Sequence, residues 1–210
     1  MTGFFITLEG GDGSGKSTQA RLLAEWCENR GREVVFSREP GGTELGVKLR
    51  ELVLHSTGYM TPRTEALLYA ADRAQNIATV VRPALERGAV VIQDRYIDSS
   101  VAYQGAGRVL GADEIRALSM WATENLVPDL TIVLDLDPEA GRTRLDASRT
   151  RFDRLESEKN EFHERVRAAY LHMAAEDPQR FIVIDAALPP ADIHAAIIAR
   201  IVDIVEATAR

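Results

Sequence analysis

The chain has 210 residues, of which 45% are hydrophobic and 27% are charged, as in an ordinary soluble globular protein. This length favours one sizeable α/β core over two independent domains. The formal net charge of −7 argues against a broad nucleic-acid-binding or membrane-binding surface, which would need an excess of basic charge.

The single cysteine, Cys27, cannot form an intrachain disulfide bond, which suits a reducing cytosol. The sequence enters an apolar run close to its N-terminus without a basic leader. No stretch approaches the ~18 apolar residues of a membrane-spanning helix. We therefore expect a cytoplasmic protein that binds neither membranes nor nucleic acid.

The first predicted strand, Phe4–Leu8, leads into a glycine-rich loop and then into a helical pattern at about Lys16–Arg30. The loop matches the phosphate-binding pattern GxxxxGK[ST] at every fixed position. Its residues are Gly10, Gly11, Asp12, Gly13, Ser14, Gly15, Lys16, Ser17 and Thr18. A plain glycine-rich turn is the alternative, but strand, loop and helix all stand where the motif needs them.

This loop has the physical properties of an anion site. Glycines let backbone N–H groups approach a phosphate closely, and the following helix directs its positive end at the anion. Lys16 is expected to reach the outer phosphates, and the Ser17 hydroxyl to coordinate Mg²⁺. The motif therefore predicts binding of a nucleoside triphosphate.

The second predicted strand, Val34–Phe36, is followed by Arg38-Glu39-Pro40-Gly41-Gly42-Thr43. Arg38 stands at the carboxyl end of the strand, the edge at which ligands bind in open α/β sheets. A guanidinium could grip a second phosphate there with two hydrogen bonds. A solvated turn with an incidental ion pair is the alternative.

The third helical pattern, at about Arg63–Arg87, contains Tyr69, Arg73 and Asn76 on one face, because they are spaced i, i+4 and i+7. An aromatic ring and an arginine together suit a nucleobase, since the ring stacks and the guanidinium donates hydrogen bonds. A partly buried structural face explains the same spacing equally well.

The third predicted strand, Ala89–Ile92, is followed by Asp94 and Arg95. A carboxylate that ends an apolar strand beside a phosphate loop can hold Mg²⁺ through water. The neighbouring Arg95 could neutralise charge on a phosphoryl group in transfer. A buried Asp–Arg pair that closes the end of the strand is the alternative.

The last basic cluster contains Arg149, Arg151 and Arg154, and it lies between two helical patterns of an otherwise acidic chain. A mobile arginine segment that closes over phosphates would stabilise transition-state charge and exclude water. A solvated basic loop is the alternative.

Two further apolar runs, Leu130–Leu136 and Phe181–Ile184, complete a set of five short strands. Helical patterns separate the strands throughout. Strands that are apolar on both faces and alternate with helices predict an α/β fold with a doubly wound, five-stranded parallel sheet flanked by helices on both faces.

With these motifs placed, the chain closely resembles the thymidylate kinase family along essentially its whole length. The resemblance rests on five motifs in the same order. They are Leu8-Glu9-Gly10 before the phosphate loop, Arg38 to Thr43, Asp94-Arg95-Tyr96 to Ser99, Ala102-Tyr103-Gln104-Gly105, and Asp153-Arg154-Leu155-Glu156. The family implies the P-loop nucleoside monophosphate kinase fold, with one domain over residues 1–210, a monophosphate-binding region at about 38–87 and a lid at about 147–158.

The resemblance also implies roles for individual residues. Asp12 would meet the 3′-hydroxyl of the deoxyribose, and Arg38 and Arg95 would hold the acceptor phosphate. Tyr69 would stack on thymine, and Arg73 would bond its exocyclic oxygen. The remaining predicted substrate contacts are Ser99 in the strand-end motif, Ser100 and Gln104 at the base edge, and Tyr103 at the 2′ position. Relatives often carry asparagine or threonine in place of Ser100.

In this family a catalytic cation comes either from the phosphate loop or from the lid. The variable loop positions Gly11 to Ser14 are not basic here, so the pattern is similar to the bacterial type, in which lid arginines serve catalysis. Catalytic roles then fall to Lys16, Arg95 and the three lid arginines, and the metal contacts to Ser17 and Asp94. The family further implies MgATP as donor, dTMP as acceptor and a homodimer.

The resemblance therefore implies phosphorylation of dTMP to dTDP by direct in-line transfer from MgATP. A kinase for another nucleoside monophosphate or for a deoxynucleoside is the first alternative. A nucleotide-dependent switch or binding module is the second, although it has no evident need for Tyr69, Arg73 and an arginine lid.

Overall fold

A computed structural model describes residues 3–147 and 153–208 of the chain. Five strands form one sheet in which all neighbours run parallel. The strands are β1 (Phe4–Glu9), β2 (Val34–Arg38), β3 (Val90–Asp94), β4 (Leu130–Asp135) and β5 (Phe181–Asp185). The predicted five-stranded parallel sheet is thus confirmed.

The strand order is β2-β3-β1-β4-β5, so β1 lies in the centre between β3 and β4. The order reverses at β1, and in such sheets a crevice for ligands opens at the carboxyl ends beside the reversal. The phosphate loop follows β1 directly, and Arg38 and Asp94 are register partners at the ends of β2 and β3. Three of the predicted motifs are therefore brought to one edge of the sheet.

The helices are α1 (Lys16–Glu28), α2 (Glu44–His55), α3 (Pro62–Asn76), α4 (Arg82–Glu86), α5 (Ile97–Ser100), α6 (Ala112–Ala122), α7 (Pro138–Asp146), α8 (Asn160–Glu176) and α9 (Pro190–Thr208). Two π-helical segments, Ile77–Val81 and Val101–Gly107, continue α3 and α5. Among the residues that the structure describes, none of these helices is long and apolar enough to cross a lipid bilayer.

Helices cover both faces of the sheet. Neighbouring residues of a strand point to opposite sides, so both faces carry apolar side chains that need to be covered. Phe5 contributes to a core formed with α3, α6 and α8, whereas Ile6 contributes to a second core formed with α1 and α9. Both cores are built mainly from aliphatic side chains. The predicted doubly wound architecture follows from this two-sided burial.

The long helix predicted at about Arg63–Arg87 is interrupted by the π-helical segment Ile77–Val81. Pro83 follows the segment, at the start of α4. Proline has no N–H to donate to the carbonyl four residues earlier, and its ring crowds that carbonyl, so the helix widens locally before continuing.

A second difference is helical structure from Ile97 to Gly107, for which the sequence pattern predicts no helix. Consecutive serines and two glycines give this segment a low intrinsic helix propensity. Burial of Val101, Ala102 and Tyr103 in the core overrides that propensity. As a result, Ser100 and Gln104 lie about one turn apart on an ordered scaffold.

Candidate active site

A cleft of about 340 Å³ opens at the carboxyl edge of the sheet, and Lys16, Ser17 and Asp94 line it. All nine residues predicted to contact the acceptor also line this cleft. They are Asp12, Arg38, Tyr69, Arg73, Arg95, Ser99, Ser100, Tyr103 and Gln104. Gly13, Gly15 and Thr18 face the same cleft, Gly10 and Gly11 line a neighbouring cavity of about 190 Å³, and Ser14 is buried.

Two positions of the phosphate loop require glycine, because a different backbone segment packs closely against each of them. Gly10 has φ +125°, and a Cβ atom there would lie 2.4 Å from the carbonyl oxygen of Leu134. Gly13 has φ +76°, and its Cβ would lie 2.6 Å from the carbonyl oxygen of Gly141. Any side chain at either position would displace the backbone behind the loop, so the close packing of the loop depends on these glycines.

Lys16 begins α1, and its Nζ atom donates to the carbonyl oxygens of Gly10 at 3.1 Å and Gly11 at 2.8 Å. Burial and the nearby positive charge of Arg95 lower the pKa of Lys16. The loop thus holds the ammonium group beside the N-terminus of α1, where an anionic ligand would meet both the charge and the helix dipole.

Arg95 and Asp12 form the ion pair at the centre of the cleft, with Nη2 of Arg95 2.6 Å from Oδ1 of Asp12. Burial raises the pKa of Asp12, but the charges of Arg95 and Lys16 outweigh burial and lower that pKa to about 2. The guanidinium of Arg95 also stands over the ring of Tyr103, 4.9 Å from its centroid. Asp12 is therefore a carboxylate at neutral pH.

The backbone of Arg95 is left-handed, with φ 67°, a conformation that costs an L-residue with a side chain roughly 1–2 kcal/mol. A buried carboxylate, Glu9, holds the turn in place. Its Oε1 atom accepts from the N–H of Tyr96 at 2.8 Å, and Oε2 accepts from the hydroxyls of Ser99 at 2.6 Å and Tyr170 at 2.8 Å. Burial, with the negative charge of Asp98, raises the pKa of Glu9.

Arg73 is 1% exposed and lies at the bottom of the cleft. Its Nε atom donates to Oε2 of Glu39 at 2.7 Å, and its Nη1 atom donates to Oγ of Ser119 at 3.0 Å. Its Nη2 atom donates to the carbonyl oxygen of Tyr96 at 3.0 Å and to Oγ of Ser100 at 3.1 Å. Burial raises the pKa of Glu39 to about 7, against the opposing charge of Arg73. The helix face that carries Tyr69, Arg73 and Asn76 is buried, as a structural face would be, and Tyr69 and Arg73 also line the cleft.

Arg38 differs from Arg73 because it is exposed and has no ion-pair partner within residues 3–147 and 153–202. Asp94, its register partner, has a buried Oδ1 atom without a hydrogen-bond partner among the described residues. Ser17 is exposed at the start of α1. The cleft thus offers an uncompensated cation and an unpaired carboxylate oxygen close to the phosphate loop.

The predicted lid falls partly outside the described residues, since Arg149 and Arg151 belong to positions 148–152. Arg154 is described, and its contacts within the described part of the chain are with α2, α3 and the segment between them, away from the phosphate loop. Its Nη2 atom lies 2.5 Å from Oε2 of Glu65, and its Nε atom donates to the carbonyl oxygen of Val53 at 3.0 Å.

Several residues of the site have no role in the predictions from sequence, among them Glu9, Glu65, Ser119 and Tyr170. Each supports a predicted residue from a distant part of the chain. The hydroxyl of Tyr170, for example, lies 2.8 Å from that of Ser99 across 71 positions. Glu9 carried a signal, because it directly precedes the phosphate loop at the end of an apolar run, and a glutamate is almost never fully buried unless it is paired.

Comparisons with known proteins agree with this geometry. The sequence model of the family described as thymidylate kinase matches residues 8–197. A thymidylate kinase of Clavibacter michiganensis subsp. michiganensis is 68% identical over 197 residues, which cover 94% of this chain and 93% of the relative. A thymidylate kinase of Bifidobacterium longum (strain DJO10A) is 52% identical over 201 residues, which cover 94% of this chain and 96% of the relative.

Among solved structures, a crystal structure of thymidylate kinase from Ehrlichia chaffeensis superposes with a TM-score of 0.77 at 33% sequence identity. The match covers 95% of this chain and 98% of the other. Sequence and structure therefore agree along almost the whole length of the chain. The chain belongs to the thymidylate kinase family.

Proposed function

We propose that this protein transfers the γ-phosphoryl group of ATP to the 5′-phosphate of dTMP and so forms dTDP, a precursor of dTTP. One observation carries the proposal: a phosphate loop, an arginine without an ion pair among the described residues, and a pocket with an aromatic ring and a buried arginine line the same cleft. The relatives named above support dTMP as the acceptor.

The donor nucleotide binds through the loop N–H groups, the positive end of α1 and the ammonium of Lys16. The residues present also fit Mg²⁺, because Ser17 offers an exposed hydroxyl and Asp94 an oxygen that has no hydrogen-bond partner in the described part of the chain. Magnesium needs few protein ligands when phosphates and water complete its shell. When bound, the metal supplies positive charge to the transferring phosphates.

The chemical step needs no covalent intermediate, because the acceptor oxygen is already anionic at neutral pH. The barrier is then mainly repulsion between two polyanions and loss of orientation. Arg38 and Arg95 hold the acceptor phosphate and reduce the repulsion. Asp12 is fixed by Arg95 and meets the 3′-hydroxyl of the deoxyribose. Tyr103 packs against Arg95, where it crowds the 2′ position.

Two segments complete the mechanism. Residues 38–87 bind the monophosphate, with Tyr69 stacked on the base and Arg73 bonded to its exocyclic oxygen. Residues 147–158 close over the phosphates as a lid, which excludes water and brings Arg149, Arg151 and Arg154 to the transferring group. Arg154 must leave Glu65 to take part, so lid closure exchanges one anionic partner for another.

A panel of acceptors tests the function. Release of ADP is measured with MgATP and dTMP, dUMP, dCMP, dGMP, UMP or thymidine, and with EDTA in place of Mg²⁺. We expect dTMP to give the highest kcat/KM, and EDTA to abolish turnover. No diphosphate from any mononucleotide, or equal activity with EDTA, would contradict the proposal.

Phosphorylation of thymidine instead of dTMP would identify a deoxynucleoside kinase. The cleft argues against that alternative, because Arg38 and Arg95 have no evident use for an uncharged acceptor. ADP release without any acceptor would indicate a nucleotide-hydrolysing switch.

Replacing Arg38 with alanine tests its contact with the acceptor phosphate. Loss of a charged hydrogen bond costs about 1.5–3 kcal/mol, so kcat/KM for dTMP should fall roughly ten- to hundredfold. The melting temperature should stay unchanged, because Arg38 is exposed and has no described ion pair. Arg21→Ala, at an exposed position of α1, is the matched control. A wild-type KM for dTMP in Arg38→Ala would place the acceptor phosphate elsewhere.

We also infer a homodimer in the cytoplasm. The packed pair of helices α3 and α6 carries two exposed apolar side chains, Leu67 at 58% and Trp121 at 80% exposure. A second copy of the chain would bury them. Sedimentation at twice the 23.2 kDa chain mass supports the dimer, whereas sedimentation at the chain mass excludes it.

A further inference from the structure

A buried carboxylate, Glu65 of α3, collects three side chains from separate parts of the chain, and it is itself 1% exposed. Nε2 of Gln104 donates to its Oε1 atom at 2.8 Å. Nη2 of Arg108 and Nη2 of Arg154 lie 3.2 Å and 2.5 Å from its Oε2 atom. No motif in the sequence assigns this residue a function.

Glu65 decides which end of the Gln104 amide faces the cleft. A carboxylate between two guanidinium groups accepts hydrogen bonds and has no proton to donate. Gln104 must therefore turn its NH₂ group toward Glu65, which leaves its carbonyl oxygen Oε1 on the other side. That oxygen has no hydrogen-bond partner within the described part of the chain, and Gln104 lines the cleft. The residue thus presents an acceptor to a bound base.

Arg73 presents the complementary donor. Four of its N–H groups donate to Glu39, Ser119, Tyr96 and Ser100, and a guanidinium has a fifth. With this fifth N–H assigned to the base, the pocket combines one donor with one acceptor. Thymine and uracil match this pair with their O4 oxygen and N3–H group. Cytosine carries an amino group and an unprotonated N3 at the same positions, so both contacts would fail.

We propose that Glu65 is the positioning residue for base selection: it locks the Gln104 amide so that, among pyrimidines, only a base with an N3–H donor is accepted. The inference rests on the proposed phosphorylation of dTMP and on binding of the base beside Gln104. It adds a residue that touches no substrate and acts through another side chain.

The substitution Glu65→Gln tests the lock with almost no change in volume. A neutral amide can donate as well as accept, so Gln104 becomes free to turn either end toward the base. We expect kcat/KM for dTMP and for dUMP to fall together by about tenfold. The fall should come from a higher KM for the acceptor, while the KM for ATP stays the same. Binding of dCMP, measured as its inhibition constant against dTMP phosphorylation, should hold or improve.

Glu158→Gln is the matched control. Glu158 contacts the other end of the same network, since Nη1 of Arg108 lies 2.6 Å from its Oε1 atom. Among the described residues, however, the amide of Gln104 donates to Glu65 and not to Glu158. This variant should keep the preference for dTMP over dCMP. If Glu65→Gln acted through Arg154, it would change turnover of every pyrimidine nucleotide by the same factor. The preference for one nucleotide over another would then stay constant, so a change in that preference reports on the Gln104 amide.

A double-mutant cycle with Gln104→Ala gives an independent readout. If Glu65 acts through Gln104, then Glu65→Gln should have no further effect on the KM for dTMP once Gln104 is alanine. Additive losses, or an equal fall for dTMP and dCMP in the single variant, would overturn the inference. Failure of the proposed function is a different result, because the wild-type protein would then phosphorylate none of the three nucleotides.

Discussion

Lys16→Ala is expected to lower kcat about 10³-fold, the largest effect of any single substitution in the cleft. The ammonium is buried and held at the N-terminus of α1 by the Gly10 and Gly11 carbonyl oxygens. Charge placed in advance at the transferring phosphates needs no reorganisation during the reaction, and removal of one such donor costs roughly 10²–10³-fold in kcat.

The variant should remain folded, because burial of an ammonium group is itself unfavourable. Steady-state kinetics with saturating dTMP measure the loss, and a thermal melt confirms the fold. Lys48→Ala on the exposed side of α2 is the matched control and should behave as wild type. A kcat within tenfold of wild type in Lys16→Ala would remove the lysine from the chemical step.

Arg73→Ala is expected to damage both stability and substrate binding. The substitution leaves Glu39 buried without its cationic partner, and breaking a buried ion pair in this way costs about 3–5 kcal/mol of unfolding free energy. For a chain of this size the melting temperature should fall by roughly 10 °C. The KM for dTMP should rise at least tenfold, because the proposed donor to the base is lost.

The double substitution Glu39→Gln/Arg73→Met separates the two effects. With neither charge buried, part of the stability should return, whereas the KM for dTMP should stay high and the KM for ATP should not change. Arg63→Ala on the same helix is the control, since its pair with Glu114 is exposed and contributes at most about 1 kcal/mol. Wild-type stability in Arg73→Ala would show that Glu39 does not depend on this guanidinium.

The sheet could be predicted from sequence because each strand is a short apolar run between helical patterns, and that pattern is typical of strands buried on both faces. The two π-helical segments could not be predicted from the sequence. Ile77–Val81 looks like ordinary helix, and its geometry depends on Pro83 in a helix that the core holds together. The segment after Ser100 has a weak local preference for helix, so only its tertiary contacts reveal it.

The site, like the fold, has parts that the sequence predicts and parts that it does not. The phosphate loop and the residues at the strand ends are local motifs, and one rule of sheet topology brings them together. The groups that hold them are common residues in the middle of helices, such as Tyr170 in α8 and Ser119 in α6. Their spacing in the chain carries no information about these contacts. The pairing of Arg154 with Glu65 was missed for the same reason.

The left-handed turn at Arg95 has a consequence for protein engineering. Glycine would adopt that turn without strain, so the backbone conformation alone would favour it at this position. Glycine would also remove the cation beside Asp12, which is the guanidinium that we propose holds the acceptor phosphate. Thermostabilised versions of this enzyme should therefore be designed with position 95 held constant.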